Sequence, residues 1–246
     1  MRKFILLLIS GIILSSGAAF AQEEILILFD ASLSMGDKIN GVPKYQMAAE
    51  ETKRFVSSLP DSQPAGLRII GLIIDNDIIK YIQKPEDLCK ASRLAVPIQK
   101  GSASDIKNAL SISFPLGVTP LVHSIETALD NDFTPGAMKH IVLVTDGADA
   151  CGGNLCSFIQ YVTQRRNDLK IDVIAFGADA EDVKQLKCLA SYTSGRMIPV
   201  SSAEHIEKAY TSLFSFKRYE IEPSGSFKRK GNAGIEYKNV LMEFNR

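Results

Sequence analysis

The sequence predicts an α/β fold built on a mostly parallel sheet of six strands flanked by helices. Two observations carry that expectation. Apolar runs and amphipathic stretches alternate along the chain, the pattern of strands joined by crossover helices. Several runs are also unbroken, Ile25 to Phe29 and Ile141 to Val144 foremost, as strands require when both of their faces are covered. With 246 residues, 46% hydrophobic and 23% charged, the chain is long enough for one or two domains with a core of their own.

The elements follow in order. Residues 1–21 read as a signal peptide. Arg2 and Lys3 form its positive start, Phe4 to Leu14 its apolar stretch, and Ala19-Phe20-Ala21 its small-x-small cleavage site. An uncleaved membrane anchor is the alternative. Gln22 rather than a cysteine follows the site, which argues against a lipid anchor, and no later apolar run approaches the ~18 residues of a spanning helix. The mature protein is therefore expected to be exported, periplasmic or secreted, with no membrane span. The main domain is expected over residues 22–216. Ile25 to Phe29 is its central strand, and Tyr45 to Leu59 a helix with Met47, Phe55 and Leu59 facing the core, stopped by Pro60. Leu67 to Ile74 is a strand. Leu94 to Ile98 is a short edge strand, because Pro97 lacks the donor that a central ladder needs. Thr119 to Leu129 is a helix with Pro120 in its first turn. His140 to Thr145 is a strand, Leu155 to Arg166 a helix, Ile171 to Phe176 a strand, Glu181 to Ser191 a helix, Arg196 to Val200 a strand and Ala203 to Phe216 the closing helix. Residues 217–246 alternate polar and apolar around Gly225, Gly231 and Gly234, as a short β-rich extension would.

Charge and composition exclude some functions. Basic and acidic residues balance at 28 each, so no global electrostatic footprint for nucleic acid exists. His123, His140 and His205 are scattered and fit surface or core positions better than a catalytic base. No catalytic residue is assigned.

The chemistry lies in Asp30-Ala31-Ser32-Leu33-Ser34, at the end of the first strand. One carboxylate and two hydroxyls at alternate positions can turn toward a common point as the strand opens into a loop. All are hard oxygen ligands of the kind Mg²⁺ and Ca²⁺ prefer. Alone, such a turn is a weak signal. Two later segments strengthen it: Gly117-Val118-Thr119 puts a hydroxyl at the entrance to a helix, and Thr145-Asp146-Gly147 a carboxylate directly after a strand. Open α/β sheets bind ligands beyond the carboxyl ends of their strands, and all three segments fall at loops that one such edge can gather.

With those residues the chain resembles the von Willebrand factor type A family, from about Glu24 to Phe216. The resemblance implies a Rossmann-like, doubly wound sheet and a metal-ion-dependent adhesion site of the pattern D-x-S-x-S, then T, then D. Carried onto this chain, its metal ligands are Asp30, Ser32, Ser34, Thr119 and Asp146. It also implies a function of binding and not of turnover: a divalent cation, Mg²⁺ first with Mn²⁺ or Ca²⁺ as alternatives, gripping an acidic residue of a protein partner. Two other readings stay open. One is a Mg²⁺-dependent phosphatase of the haloacid dehalogenase type, which would need an acid where Ser32 stands. The other is a scaffold without a metal.

The four cysteines, Cys89, Cys151, Cys156 and Cys188, read as two disulfides in an exported protein. A zinc site is the weaker alternative, since no C-x-x-C pair occurs and no histidine lies beside them. Cys156 should open the helix after the Asp146 loop and Cys188 lies on the next helix, so Cys156–Cys188 and Cys89–Cys151 are the expected pairs. Cys151–Cys156, closing a loop with two glycines, is the rival.

Overall fold

The computed structural model describes residues 22–71, 88–213, 219–221 and 227–229. The expected signal peptide and most of the C-terminal extension lie outside them. Six strands form one sheet: β1 (Glu23–Asp30), β4 (Ala65–Ile70), β5 (Ser92–Gln99), β6 (Met138–Thr145), β7 (Leu169–Phe176) and β8 (Met197–Val200). Their order is β5-β4-β1-β6-β7-β8. All neighbours pair in parallel except β5, which runs antiparallel to β4.

Both faces of that sheet are covered. Side chains alternate along a strand, so Ile25, Ile27 and Phe29 of β1 join one core, while Leu26 and Leu28 join the other. The first core is closed by α1 (Lys44–Ser58), α2 (Ala103–Ile112) and α6 (Ala203–Leu213). The second is closed by α3 (Leu121–Asn131), α4 (Leu155–Thr163) and α5 (Ala180–Tyr192). The buried, two-sided setting of β1 and β6 explains their unbroken apolar runs. Among the described residues no helix is long and apolar enough to cross a membrane.

Several boundaries differ from expectation for local reasons. The edge strand β5 has eight residues, longer than foreseen, and keeps Pro97 because among the described residues no strand pairs with its outer side. Helix α3 begins at Leu121, after Pro120, because the Thr119 carbonyl already accepts from both Leu121 and Ala150 (3.1 and 2.9 Å). Helix α4 ends at Thr163 rather than Arg166. Helix α2 was not foreseen; it is anchored by Ile106 and Leu110. Between β1 and α1 lie a 3₁₀ turn (Leu33–Gly36) and two short paired strands, β2 (Lys38–Ile39) and β3 (Val42–Pro43). In the C-terminal extension, β9 (Tyr219–Ile221) pairs antiparallel with β10 (Phe227–Arg229).

One ion pair fastens the antiparallel edge to the helical layer. Arg68 of β4 grips Asp132, just past α3, through Nε to Oδ2 and Nη2 to Oδ1 at 2.7 and 2.8 Å, and Nη1 reaches Ser92 Oγ. Both charged side chains are nearly dry, at 5% and 2% exposure. Removing one partner of a buried pair strands the other charge, which typically costs about 3–5 kcal/mol. Asp132→Ala should therefore lower unfolding free energy by about that amount in urea titration. A loss below about 1 kcal/mol would mean that Arg68 finds water instead.

Candidate metal centre

The strand order places the site. The chain leaves β1 toward β4 on one side and returns to β6 on the other, so the carboxyl ends of β1 and β6 flank the point where such a sheet opens a crevice. Asp30 is the last residue of β1, and Asp146 follows the last residue of β6. The parallel register that pairs Phe29 with Val144 brings Thr145 beside Asp30, and the Thr145 hydroxyl donates to Asp30 Oδ2 at 2.6 Å.

A chain of hydrogen bonds joins four of the five expected ligands. The Ser32 amide donates to Asp30 Oδ1 (2.8 Å). The Ser34 hydroxyl donates to Asp146 Oδ1 (2.8 Å) and lies 3.1 Å from Ser32 Oγ. Fully buried Met35 holds the 3₁₀ turn that carries Ser34. Thr119 is buried at the same edge and joins through its backbone. Its loop is bonded to the Asp30 loop on one side, Leu33 N–H to Gly117 O and Leu116 N–H to Ala31 O (3.1 and 2.7 Å), and to Ala150 beyond Asp146 on the other. Beneath them Gly71 has φ +103, and an added Cβ would press on the carbonyls of Ala31 and Leu116 at 2.7 and 2.8 Å. A side chain there would spread the two loops.

Four further residues shape the site beyond the five expected ligands. Asp149 accepts from Val122 N–H at the start of α3 (2.9 Å) and from the amides of Cys151 and Gly153 (both 2.8 Å). It thus clamps the Thr119 arm to the loop after Asp146. Thr145 continues the β6 run and reads from sequence as an ordinary strand end. Asp182, on α5, comes within 3.2 Å of where a Gly147 Cβ would sit; burial raises its carboxyl above the usual range, and the nearby charges of Asp179, Asp146 and Glu181 add to that. Lys44, the first residue of α1, donates to Asp146 Oδ2 at 2.8 Å. A lysine just before an amphipathic helix was the available signal, but its partner is 102 residues away.

The cysteines rim the site. Cys89 is bonded to Cys151 and Cys156 to Cys188. The first ties the chain before β5 to the loop after Asp146, and the second joins the N-terminus of α4 to α5.

The electrostatics of Asp30 set it apart from the other fully buried aspartate, Asp172. Burial would raise both. At Asp172, hydrogen bonds from His140 and Lys170 outweigh burial and hold the carboxyl down at about 2. At Asp30, burial prevails over neutral donors from Thr145 and Ser32, the Asp146 charge adds to it, and the carboxyl is pushed up to about 6. A buried carboxylate short of positive charge, with other oxygen donors converging on it, fits a hard divalent cation.

Comparison with known proteins identifies the fold. The family model for the von Willebrand factor type A domain matches residues 23–198. The chain belongs to the von Willebrand factor type A domain family. It is similar to the uncharacterized protein YwmC of Bacillus subtilis, with 26% identity over 223 residues, 85% of this chain and 96% of that protein. Among solved structures it resembles a von Willebrand factor type A protein from Catenulispora acidiphila (TM-score 0.61, 20% identity, 82% of this chain and 44% of that one). It also resembles proximal thread matrix protein 1 of the mussel byssus, in a form with a zinc-occupied metal-ion-dependent adhesion site motif (TM-score 0.56, 18% identity, 78% of this chain and 47% of that one). This chain thus spans less than half of either solved chain, and the likeness is one of von Willebrand factor type A fold.

The raised Asp30 carboxyl has a sign that can be checked. In the unfolded chain this group loses its proton near ~3.9, whereas in the fold it keeps it to about 6. Its stabilising contribution to the metal-free protein is full below about pH 4 and lost as pH rises to about 6. Asp30→Asn removes the charge, and the Thr145 hydroxyl can turn to Gly147 O, 2.9 Å away, while accepting from the new amide. In EDTA the variant should be more stable than the parent by about 2–3 kcal/mol at pH 7.5, the gap closing toward pH 4. Parallel stability curves for the two proteins would refute this.

Proposed function

We propose that this von Willebrand factor type A domain is a metal-dependent binding module of an exported protein. Asp30, Ser32, Ser34, Thr119 and Asp146 hold one divalent cation, Mg²⁺ by preference or Mn²⁺ or Ca²⁺, and an Asp or Glu of a protein partner completes its coordination. The observation that carries this reading is the fully buried Asp30 carboxylate, which accepts from the neutral Ser32 amide and Thr145 hydroxyl at the edge where Ser34, Thr119 and Asp146 also gather. When bound, the cation supplies Lewis acidity toward a partner carboxylate. The chain's own residues do the rest. Two carboxylates offset a divalent charge, the hydroxyls add neutral oxygens, and the three bonded loops fix their positions before a partner arrives, which lowers the ordering cost of binding.

A protein partner is supported by the surroundings. Leu33, between the two serines, is 65% exposed, and Ile112 and Phe114 also face solvent on the chain that leads to Leu116. Large exposed apolar side chains beside a polar centre are usual in interaction sites. The disulfides support export, as such bonds persist in oxidising compartments. In this reading residues 1–21 direct export, residues 22–216 form the binding domain and residues 217–246 append to it. The domain is not an enzyme: Ser32 stands where the phosphatase reading needs an acid.

Calorimetric titration with Mg²⁺, Mn²⁺ and Ca²⁺ should give one site in the parent protein and none in Asp30→Asn. Equal affinity in the two would sink the ligand assignment. Affinity capture with the mature domain should then recover a partner in Mg²⁺ and lose it in EDTA. A Mg²⁺-dependent hydrolysis of phosphate esters abolished by Asp30→Asn would establish the enzymatic alternative instead.

A further inference from the structure

Lys44 is in an unusual place for a cation. It begins α1, facing the positive end of the helix dipole, where basic residues are disfavoured. Its side chain is only 14% exposed and its Asp146 partner 3%, so the pair is largely out of water. Its position is also fixed: the Lys44 amide donates to Asp37 O at 2.8 Å, and a Cβ added at Gly177, past the end of β7, would lie 3.9 Å from Lys44 Cε. The helix gains nothing from this charge, whereas Asp146 does.

Both Asp146 oxygens are taken in this arrangement, Oδ1 by the Ser34 hydroxyl and Oδ2 by the Lys44 ammonium. The two donors are not equivalent toward a metal. A hydroxyl keeps lone pairs and can turn them to a cation, so Ser34 can remain; an ammonium has donors only and repels a second cation. We infer that Lys44 is a resident counter-cation of the metal centre, which a divalent ion displaces from Asp146 and which is then received by Asp37. Asp37 Oδ2 already lies 3.8 Å from Lys44 Nζ, and its side chain is 73% exposed, so the handover needs only a small rotation at the end of the lysine. The inference rests on the metal reading above. Its consequences are a lower metal affinity than the oxygen ligands alone would give, and an acidic site whose repulsion is eased when no metal is bound.

The test uses the whole mature protein and Lys44→Met, which keeps the apolar stem without the charge. Titrated with Mn²⁺ at pH 7.5, the variant should bind about tenfold tighter or more, as expected when a competing unit charge a few ångströms away is removed. In EDTA it should melt at a lower temperature than the parent, and saturating Mn²⁺ should close that gap. Lys53→Met on the same helix should change neither. Asp37→Asn should weaken Mn²⁺ binding several-fold in the parent and leave it unchanged in the Lys44→Met background. Weaker or equal binding by Lys44→Met, while the parent still binds, would overturn this inference and leave the metal reading intact. Failure of both proteins to bind any divalent ion would overturn the two together. An effect of Asp37→Asn that persists without Lys44 would show plain charge attraction and overturn the handover.

Discussion

The structure turns on a carboxylate placed at the end of the central strand, where water cannot reach it. Asp30 is fully buried, and taking an ionised carboxylate out of water costs several kcal/mol unless a charge or strong donors repay it. Its donors are neutral: an amide from Ser32 and a hydroxyl from Thr145. Asp172, equally buried, shows what a structural aspartate looks like in this fold, because Lys170 gives it a cation while the His140 ring and the Arg196 amide add hydrogen bonds. The same sheet solves the problem at Asp172 and leaves it open at Asp30. That asymmetry is the argument for a ligand.

The rest of the site keeps that unfavourable arrangement from relaxing. The Asp30 loop, the Thr119 loop and the loop after Asp146 come from distant parts of the chain, yet each is bonded to the next through main-chain groups. Asp149 gathers three amides across two of them, and the Cys89–Cys151 bond anchors the third from outside. Gly71 matters for the opposite reason, since only a missing side chain lets two carbonyls pass so close. A rim held this way spends little entropy on binding.

Much of this was legible in the sequence, and the parts that were not share one cause. The buried strands announced themselves because two-sided burial leaves no polar alternation, and D-x-S-x-S stood out because its spacing is local. Helix α2 was missed because its core anchors, Ile106 and Leu110, sit in a stretch with serines, an asparagine and lysines. The start of α3 was misjudged because the carbonyl of Thr119 is taken by Ala150, 31 residues later. Lys44 and Asp149 are of the same kind. Each is an ordinary polar residue in its local window and gains a role only from what the fold sets against it.

The two ends of the sheet divide the work between stability and binding. At the amino ends of β6 and β7, Lys139 and Arg166 pair with Asp168 while His140 and Lys170 pair with Asp172. Each acid there has a cation within 3.1 Å, and the strands start from a compensated edge. At the carboxyl ends, Asp30, Asp146 and Asp182 approach one another with Lys44 as the cation seated on Asp146. Natural folds place strain where function needs it and offset it elsewhere. Here the offset is in the same strands, Asp172 standing level with Val142 and Asp168 just before β7, roughly 13 to 27 Å from the Asp146 level at the usual rise per residue. Substitutions at the amino edge should therefore act on the whole fold, whereas neutralising Asp30, the acid without a cation of its own, should relieve the metal-free protein while removing its ligand.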